Sequence, residues 1–355
     1  MLNEKISVIK RIRSSKIFWP LVALAAVFFF NLIFNSHFFF IEVRDGRLSG
    51  NIIDILNRSS ALVLVAVGIT FVIATGGIDI SVGAIVAISA ATVASLVGGK
   101  LVLHNGVQEY VTLVPMAVAI LVALAVAMAA GMWNGMLVSR VGMQPIIATL
   151  ILMVAGRGIA QLITNGQIIT VYYKPFFYIG NGTLLGLPFP MFIAAFMVAI
   201  TLFLKNKTSL GLFIQAVGIN KTATRYSGIN SKTIIFWVYV FSSFCAGIAG
   251  LIVCSNVKSA DGNNAGYLVE LDAILAVVLG GTSLAGGRFF IMGSVVGALI
   301  IQSLTTTIYS VGVPPEITQV VKAVIVFIVC LIQSESFRSA VSRIFARKKR
   351  QEEIA

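Results

Sequence analysis

The chain has 355 residues, of which 58% are hydrophobic and only 11% are charged. Soluble proteins carry about 25% charged residues, so this sequence cannot cover its surface with water-compatible side chains. Its net charge of +13 arises from 26 Lys and Arg against 13 Asp and Glu. The composition excludes an ordinary soluble domain and indicates that lipid is the main solvent of the chain.

Long apolar stretches without charged residues follow one another along the chain. A helix of roughly 20 residues crosses about 30 Å of hydrocarbon, and continuous apolar runs favour helices over the alternating strands of a membrane barrel. The fold class predicted is all-α, a polytopic integral membrane helical bundle of about ten transmembrane helices. The predicted spans are 18–40, 53–74, 81–99, 112–138, 144–163, 189–204, 234–255, 271–286, 289–309 and 317–333.

The first apolar run, 17–41, follows a basic leader. It is longer than the apolar region of a secretory signal and lacks a cleavage site of small residues. We therefore expect it to remain as an anchored first span.

Basic residues predict the orientation of the bundle. Five Lys and Arg precede the first span and six follow the last one, which places both termini in the cytoplasm and requires an even number of spans. The predicted organisation is a cytoplasmic arm at 1–17, a transmembrane domain at 18–335 with an inner loop at 205–232, and a basic cytoplasmic tail at 336–355. The positive charge thus reports topology and attraction to anionic lipid, and it is not typical of nucleic-acid binding.

A single acidic residue, Asp79, separates two uncharged runs of twenty residues and follows Gly76 and Gly77. A carboxylate near the middle of a membrane usually faces the protein interior or a water-filled path, and glycines permit a broken helix there. The alternative is a short inner turn in which Asp79 or Ser81 caps the next helix. Gly76, Gly77 and Asp79 are candidates for a translocation pathway or its hinge.

Two more acids, Glu270 and Asp272, precede a stretch of only 15 uncharged residues that ends at Arg288. That segment is too short for a lipid-exposed crossing, so a buried place in the bundle is expected, and both acids are further pathway candidates. The glycine-rich run at 280–287 resembles a phosphate loop, but it lacks the lysine of that motif.

Arg157 falls within a predicted span, where it must bind an interior acid or backbone carbonyls, or reach out to the membrane surface. The flanking glycines, Gly156 and Gly158, favour an interior position. Asn165 and Gln167 lie at the outer end of the same span, and their amides suit hydroxyl-rich ligands as well as ordinary solvated loops. Arg157, Asn165 and Gln167 complete the pathway candidates.

Nothing in the sequence has the spacing of a catalytic set or of a metal site. The three cysteines, Cys245, Cys254 and Cys330, lie in apolar segments, and the two histidines, His37 and His104, have no ligand partner nearby in the sequence. We expect no catalytic residues, no metal and no cofactor in this chain.

The inner loop 205–232 contains a polar, basic and helix-compatible stretch with glycines at 218 and 228. A simple channel has no need of such a loop, whereas a subunit that docks on a cytoplasmic motor does. The loop residues predicted to couple to such a partner are Gln215, Ala216, Gly218, Asn220, Arg225 and Gly228. A bulky residue at Gly218 is expected to uncouple the two proteins, and the order of the loop is expected to come from the partner.

Taken together, these motifs resemble the ribose-type permeases of bacterial ABC sugar importers. The resemblance is carried by Gly76-Gly77-Ile78-Asp79-Ile80-Ser81-Val82-Gly83, by Arg157-Gly158, by Ala223-Thr224-Arg225-Tyr226-Ser227-Gly228 and by Gly280-Gly281-Thr282-Ser283, and it extends from about residue 18 to 335. Asn263-Asn264-Ala265-Gly266 and Pro314-Pro315-Glu316 resemble the galactofuranose-transporting members. Gln215-Ala216 departs from the Glu-Ala pattern of other importer families.

The resemblance implies a multi-pass subunit of the bacterial inner membrane that passes a monosaccharide, with galactofuranose favoured. Its partners would be a second permease in a heterodimer or homodimer, a periplasmic sugar-binding protein and a cytoplasmic ABC ATPase that binds ATP and Mg²⁺. An ion-coupled secondary transporter or a channel is the main alternative, although such a carrier usually has several membrane carboxylates along one path. A membrane enzyme is a third class, without a catalytic set to support it.

Overall fold

The computed structural model describes residues 17–35, 38–44, 47–98, 100–104 and 107–333. The predicted cytoplasmic arm up to residue 16 and the basic tail from residue 334 lie outside the described residues, as does the Cys330 side chain. Within the described part the chain is a bundle of α-helices with four two-stranded hairpins or ladders.

Thirteen α-helices are present in the described part of the chain. In chain order they are α1 (Phe18–Phe34), α2 (Asn51–Ala74), α3 (Val82–Val97), α4 (Met116–Met136), α5 (Pro145–Ile163), α6 (Tyr178–Asn181), α7 (Phe189–Lys207), α8 (Ser209–Ile219), α9 (Lys221–Tyr226), α10 (Ser231–Val257), α11 (Val269–Leu279), α12 (Ile291–Ser310) and α13 (Pro315–Gln333). A π-helical turn at Leu137–Val141 extends α4, and a 3₁₀ turn at Lys174–Phe177 precedes α6.

Short antiparallel strands lie between the helices. The pairs are β1 (Glu42–Arg44) with β2 (Arg47–Ser49), β3 (Lys100–His104) with β4 (Val107–Val111), β5 (Ile169–Thr170) with β8 (Ser259–Ala260), and β6 (Thr183–Leu184) with β7 (Leu187–Pro188). All of them fall in segments that the topology places outside the membrane. The predicted all-α class is confirmed, with these ladders confined to the connections.

The mostly buried helices α2, α3, α10 and α12 form the centre of the bundle. Helix α10 packs against α2, α3 and α4, and α2 also packs against α12. Helices α2, α10 and α12 are mostly buried, whereas α4, α5 and α7 expose most of their apolar surface. Because lipid is as apolar as these side chains, such exposure is expected of outer helices in a membrane bundle.

Every predicted span contains a helix, but not every helix has the predicted length. Within the described residues, six helices are long and apolar enough to cross a membrane: α2, α4 with its π turn, α5, α7, α10 and α12. The span predicted at 271–286 was wrong in extent, because α11 ends at Leu279 and residues 280–290 form an irregular segment rich in glycine. At 11 residues, α11 covers about 16 Å at a rise of ~1.5 Å per residue, which is about half of the hydrocarbon.

The inner loop forms two helices, α8 and α9, that the hydropathy pattern did not resolve. Polar side chains cap three helix starts in and beside this loop: Thr208 accepts from the Leu210 N–H, Asn220 from those of Thr222 and Ala223, and Asn230 from that of Thr233. Such caps satisfy backbone donors that a helix start leaves free. The loop is therefore ordered by its own chain, in contrast to the expectation that its order comes from a partner.

Candidate functional site

Asp79 lies in a buried, non-helical segment between α2 and α3. Its Oδ1 accepts hydrogen bonds from the Ser81 backbone N–H at 3.0 Å and from the Ser81 hydroxyl at 2.6 Å. Its Oδ2 accepts from the Ser242 hydroxyl of α10 at 3.3 Å, and the residue is fully buried. The carboxylate thus binds Ser81, the residue that precedes α3, and joins it to α10.

The same segment is fastened to two further helices. The Asn134 amide of α4 donates to the Ser81 hydroxyl at 2.8 Å, and the Ile80 N–H donates to the Thr149 hydroxyl of α5 at 3.3 Å. Helix α3 therefore begins near the inner ends of α4 and α5, where Asn134 and Thr149 lie, and beside the middle of α10, where Ser242 lies. Buried polar groups need partners in a low-dielectric interior, and this network supplies them to Asp79 and Ser81.

Arg157 organises the outer connection between α10 and α11. Its guanidinium donates to the backbone carbonyls of Asn263 and Gly266, each at 3.1 Å, and also to that of Ala265. One guanidinium thus binds three carbonyls of the same turn. The planar, rigid arrangement of its N–H donors allows this, whereas the ammonium group of a lysine lacks that geometry. Backbone carbonyls were one of the partners expected for this arginine.

The turn that Arg157 binds also has an acid at its start. The Asp261 carboxylate accepts from the Asn263 N–H at 2.8 Å and from the Asn264 amide at 2.6 Å. Slight burial works to raise the pKa of Asp261, but these hydrogen bonds and the Arg157 charge together hold that pKa below its ordinary value. The turn is therefore rigid and carries an ionised carboxylate at neutral pH.

Glu270 and Asp272 have different surroundings. Glu270 is 6% exposed, lies beside Gly83 at the start of α3, and within the described chain its Oε2 has no hydrogen-bond partner. Asp272 instead binds Lys322 of α13, with Nζ to Oδ distances of 2.8 and 3.0 Å. A pair of opposite charges is the usual way to place ionisable groups inside a bundle.

Asn165 and Gln167 are exposed in the turn after α5. Neither is part of the network around Asp79 or of the Arg157 turn. The structure therefore separates the eight pathway candidates into an inner group (Gly76, Gly77 and Asp79), an outer group (Arg157, Asn165, Gln167 and Glu270) and the Asp272 ion pair.

The inner loop contacts the bundle through backbone. Gly218, at the end of α8, approaches the Ala74 carbonyl at the end of α2 so closely that a Cβ at residue 218 would overlap that oxygen. The Ala74 carbonyl also accepts from the Gly287 N–H at 2.8 Å. Gly286, with a φ of +88°, lies against Gly76 and Gly218. We call this meeting of 74–76, 218 and 286–287 the glycine junction.

The glycine junction gives a different explanation for the glycine at position 218. Sequence analysis assigned Gly218 to a partner-facing surface, but the residue faces the interior of its own chain. Gln215 and Ala216 are half-buried in the same helix. Asn220 caps the start of α9, and Gly228 lies in the turn after α9 with a φ of +82°. Arg225 is exposed and, unlike the exposed Asn220, takes no part in a helix cap.

An apolar surface on α8 and α9 was not predicted. Leu212 is 67% exposed, Ile219 is 74% exposed and Tyr226 is 89% exposed. Together with Arg225 they form what we call the inner face. Large exposed aromatic and arginine side chains are the usual anchors of protein–protein interfaces.

Comparison with known proteins connects these features to a family. Residues 51–330 match the family described as the permease component of branched-chain amino acid transport systems. The chain is 48% identical over 336 residues to the galactofuranose transporter permease protein YtfT of Escherichia coli strain K12, which covers 93% of this chain and 95% of that protein. The chain belongs to the ribose-type family of ABC transporter permeases. No solved structure matches it.

Other relatives of this permease support the same assignment. It is 38% identical over 333 residues to the fructose import permease protein FruF of Bifidobacterium longum strain NCC 2705, across 92% of this chain and 90% of the relative. It is 36% identical over 289 residues to the ribose import permease protein RbsC of Escherichia coli strain K12, across 80% and 86%. The permease is thus a multi-pass inner-membrane protein, and its family implies ATPase and binding-protein partners.

Sequence reasoning missed several residues that hold the permease together. Ser242 and Asn134 were not singled out, because a serine or asparagine in a long apolar helix gives no pattern of its own. Lys322 lies within the predicted span 317–333, and its pairing with Asp272 joins positions 50 residues apart. A search for single charges inside predicted spans would have found that pair.

Proposed function

We propose that this permease passes a neutral monosaccharide, galactofuranose, through the inner membrane as the transmembrane subunit of an ATP-driven importer. The observation that carries this proposal is the 48% identity to a galactofuranose transporter permease over nearly the whole chain. The fructose and ribose import permeases among its relatives support a sugar as the substrate class.

The proposed assembly contains a second permease subunit, a cytoplasmic ATPase and a periplasmic sugar-binding protein. The inner face of α8 and α9 is the proposed seat of the ATPase, because Tyr226, Ile219 and Arg225 project from helices that are fastened to the bundle. We propose that ATP and Mg²⁺ bind the ATPase and that this chain binds no cofactor. In support, the Gly287 N–H of the loop that resembles a phosphate site donates to the Ala74 carbonyl.

Charge placement favours this mechanism over an ion-coupled carrier. Within the described chain, Asp79 is bound by two serines, Asp272 is paired with Lys322, and Arg157 binds backbone carbonyls. A proton- or sodium-coupled path needs acids that lie along one route and change their occupancy during transport. Asp79 and Asp272 are thus held in separate structural roles and not along one route.

Reconstitution tests the proposal. The permease, its ATPase and its binding protein are placed in vesicles, and uptake of labelled galactofuranose is measured with ATP, without ATP and with an imposed proton or sodium gradient. Uptake is expected only with ATP and the binding protein. Uptake driven by an ion gradient alone would overturn the proposal, and ATP-driven uptake of ribose or fructose in preference to galactofuranose would overturn its choice of sugar.

A further inference from the structure

A polar cavity of about 610 Å³ opens at the outer ends of α2, α10 and α12. Its polar lining includes Asp54 and Arg58 of α2, Asn256 of α10, and Gln302, Thr305 and Tyr309 of α12. Ligand pockets typically enclose roughly 300–1,000 Å³, so the cavity has the size of a small-molecule site. None of these six residues belongs to the candidates discussed above.

The polar lining of the cavity extends well below the outer ends of the helices. Gln302 lies eight residues before the end of α12 at Ser310, and Arg58 lies seven residues after the start of α2 at Asn51. At a rise of ~1.5 Å per residue both are about 10–12 Å below the helix ends. Charged and amide side chains at such depth face a protein interior or a water-filled space and not lipid.

The lining has unused hydrogen-bonding capacity. Within the described chain the Asp54 and Arg58 side chains have no hydrogen bond or ion pair, although they lie one helical turn apart. The Gln302 amide donates only to the Thr306 hydroxyl, at 3.4 Å, and the Asn256 amide donates only to Asn57, at 3.3 Å. The cavity therefore offers a carboxylate, a guanidinium, two amide oxygens and a phenol to a ligand.

The composition of the cavity selects the ligand class. Ile252, Val253 and Val257 of α10 add apolar surface to the lining, which also contains the Gln302 amide and the Thr305 and Thr306 hydroxyls of α12. A ring with hydroxyl groups on its edge and C–H groups on its face matches this mixed lining. One acid and one base in the lining leave it without net charge, which disfavours a sugar acid or a sugar phosphate relative to a neutral sugar.

We propose that this cavity is an outer binding site for a neutral monosaccharide, which occupies it on entering the permease. The proposal rests on the proposed function, since it takes sugar import as given. It goes further in naming α2, α10 and α12 as the elements that first contact the sugar and Gln302, Asn256 and Asp54 as residues that bind its hydroxyls.

Thiol labelling in the reconstituted complex without ATP tests the site. In a background with Cys245, Cys254 and Cys330 replaced by Ala, Thr305→Cys is treated from outside with a membrane-impermeant thiol reagent. Leu121→Cys is the matched control, because it lies five residues from the outer end of α4 and is 67% exposed on an apolar surface. Labelling of Thr305→Cys is expected to be at least about tenfold faster, because thiols react as thiolates in water and not in lipid.

Protection by sugar then identifies the ligand. Galactofuranose is expected to slow the labelling of Thr305→Cys, and galactose 1-phosphate at the same concentration is not. Gln302→Leu in this background is expected to raise the half-protecting concentration about tenfold, as for an unmatched hydrogen-bonding group in a buried site. Gln319→Leu, on the exposed side of α13, is the control and is expected to leave that concentration unchanged.

Three results would overturn the proposal. Absence of labelling at Thr305→Cys would mean that the cavity is closed to water. Labelling without protection by any neutral sugar would make it a vestibule without a binding site. Equal half-protecting concentrations in Gln302→Leu and the parent would show that Gln302 does not bind the sugar. ATP-driven uptake measured on the same vesicles tests the proposed function separately, so that the two ideas can fail independently.

Discussion

Gly218 and Ala74 are in backbone contact, with the Cα of one against the carbonyl oxygen of the other. The same oxygen accepts the Gly287 N–H, so α2, α8 and the loop before α12 meet at one peptide group. A contact made by backbone leaves little freedom for adjustment. Movement of α8 caused by a partner at the inner face would therefore be passed to α2, whose other end lines the outer cavity.

The first prediction concerns the glycine junction. Gly218→Ala is expected to lower the free energy of unfolding by about 1–3 kcal/mol, because the methyl group overlaps the Ala74 carbonyl. The matched control is Gly158→Ala, since no atom lies within 4 Å of a Cβ at that helical position. There the same substitution is expected to stabilise by up to about 1 kcal/mol. Thermal unfolding of both purified variants makes the comparison, and equal melting temperatures would contradict the close contact.

The second prediction separates capping by Asp79 from a role in transport. Asp79→Ala leaves buried donors of Ser81 and Ser242 unmatched and is expected to cost about 1–3 kcal/mol and to reduce assembly. Asp79→Asn keeps one acceptor oxygen for Ser81, so it is expected to assemble while uptake falls. Uptake per assembled complex is the measurement. A wild-type uptake rate in Asp79→Asn would show that this carboxylate has no role in transport beyond its contacts to Ser81 and Ser242.

The third prediction concerns the fork of donors on Arg157. Arg157→Lys keeps the charge but cannot bind the Asn263, Ala265 and Gly266 carbonyls together. We expect the turn 261–266 to lose about 2 kcal/mol of local stability, the size of one or two charged hydrogen bonds, and uptake to fall. Hydrogen exchange of amides 262–266 measures the first effect. Unchanged hydrogen exchange together with full uptake in Arg157→Lys would show that position 157 requires only a positive charge.

The fourth prediction concerns the ion pair between α11 and α13. Lys322→Met leaves Asp272 without its partner and is expected to cost about 3–5 kcal/mol, whereas Lys322→Met combined with Asp272→Leu is expected to recover most of this loss. Thermal unfolding of the two single variants and the double variant gives the coupling free energy. Additive effects would show that the pair does not stabilise the bundle.

Whether a feature of this permease could be predicted from the sequence depends on how far apart along the chain its interacting residues lie. Ten helical segments were recognisable because lipid requires apolar side chains and internal hydrogen bonds at every crossing. The short α11 was only partly recognisable, since its apolar run continues to residue 286 while the helix ends at Leu279. The glycine junction could not be predicted, because it joins backbone atoms of residues 74–76, 218 and 286–287, which are at least 68 residues apart, and glycine has no side chain that indicates a contact.

The last prediction concerns the inner face. Tyr226→Ala is expected to weaken binding of the ATPase by about 2 kcal/mol or more, as a central aromatic anchor of an interface does, and to lower sugar-stimulated ATP hydrolysis. The fold should not change, since Tyr226 is 89% exposed in the free chain. Leu185→Ala is the matched control, because Leu185 is equally exposed but lies in the turn between β6 and β7 near the opposite end of α7.

Binding of the ATPase to detergent-solubilised permease measures the affinity of each variant, and melting temperatures confirm that both are folded. Loss of ATPase binding in Tyr226→Ala with full binding in Leu185→Ala would locate the motor on α8 and α9. Full binding and full stimulation in Tyr226→Ala would remove the inner face from the interface. The contact would then have to be sought at Arg140 or Arg288, two basic residues outside the inner loop on the predicted inner side. Attraction between these arginines and acidic residues of the ATPase would show as a loss of binding with added salt.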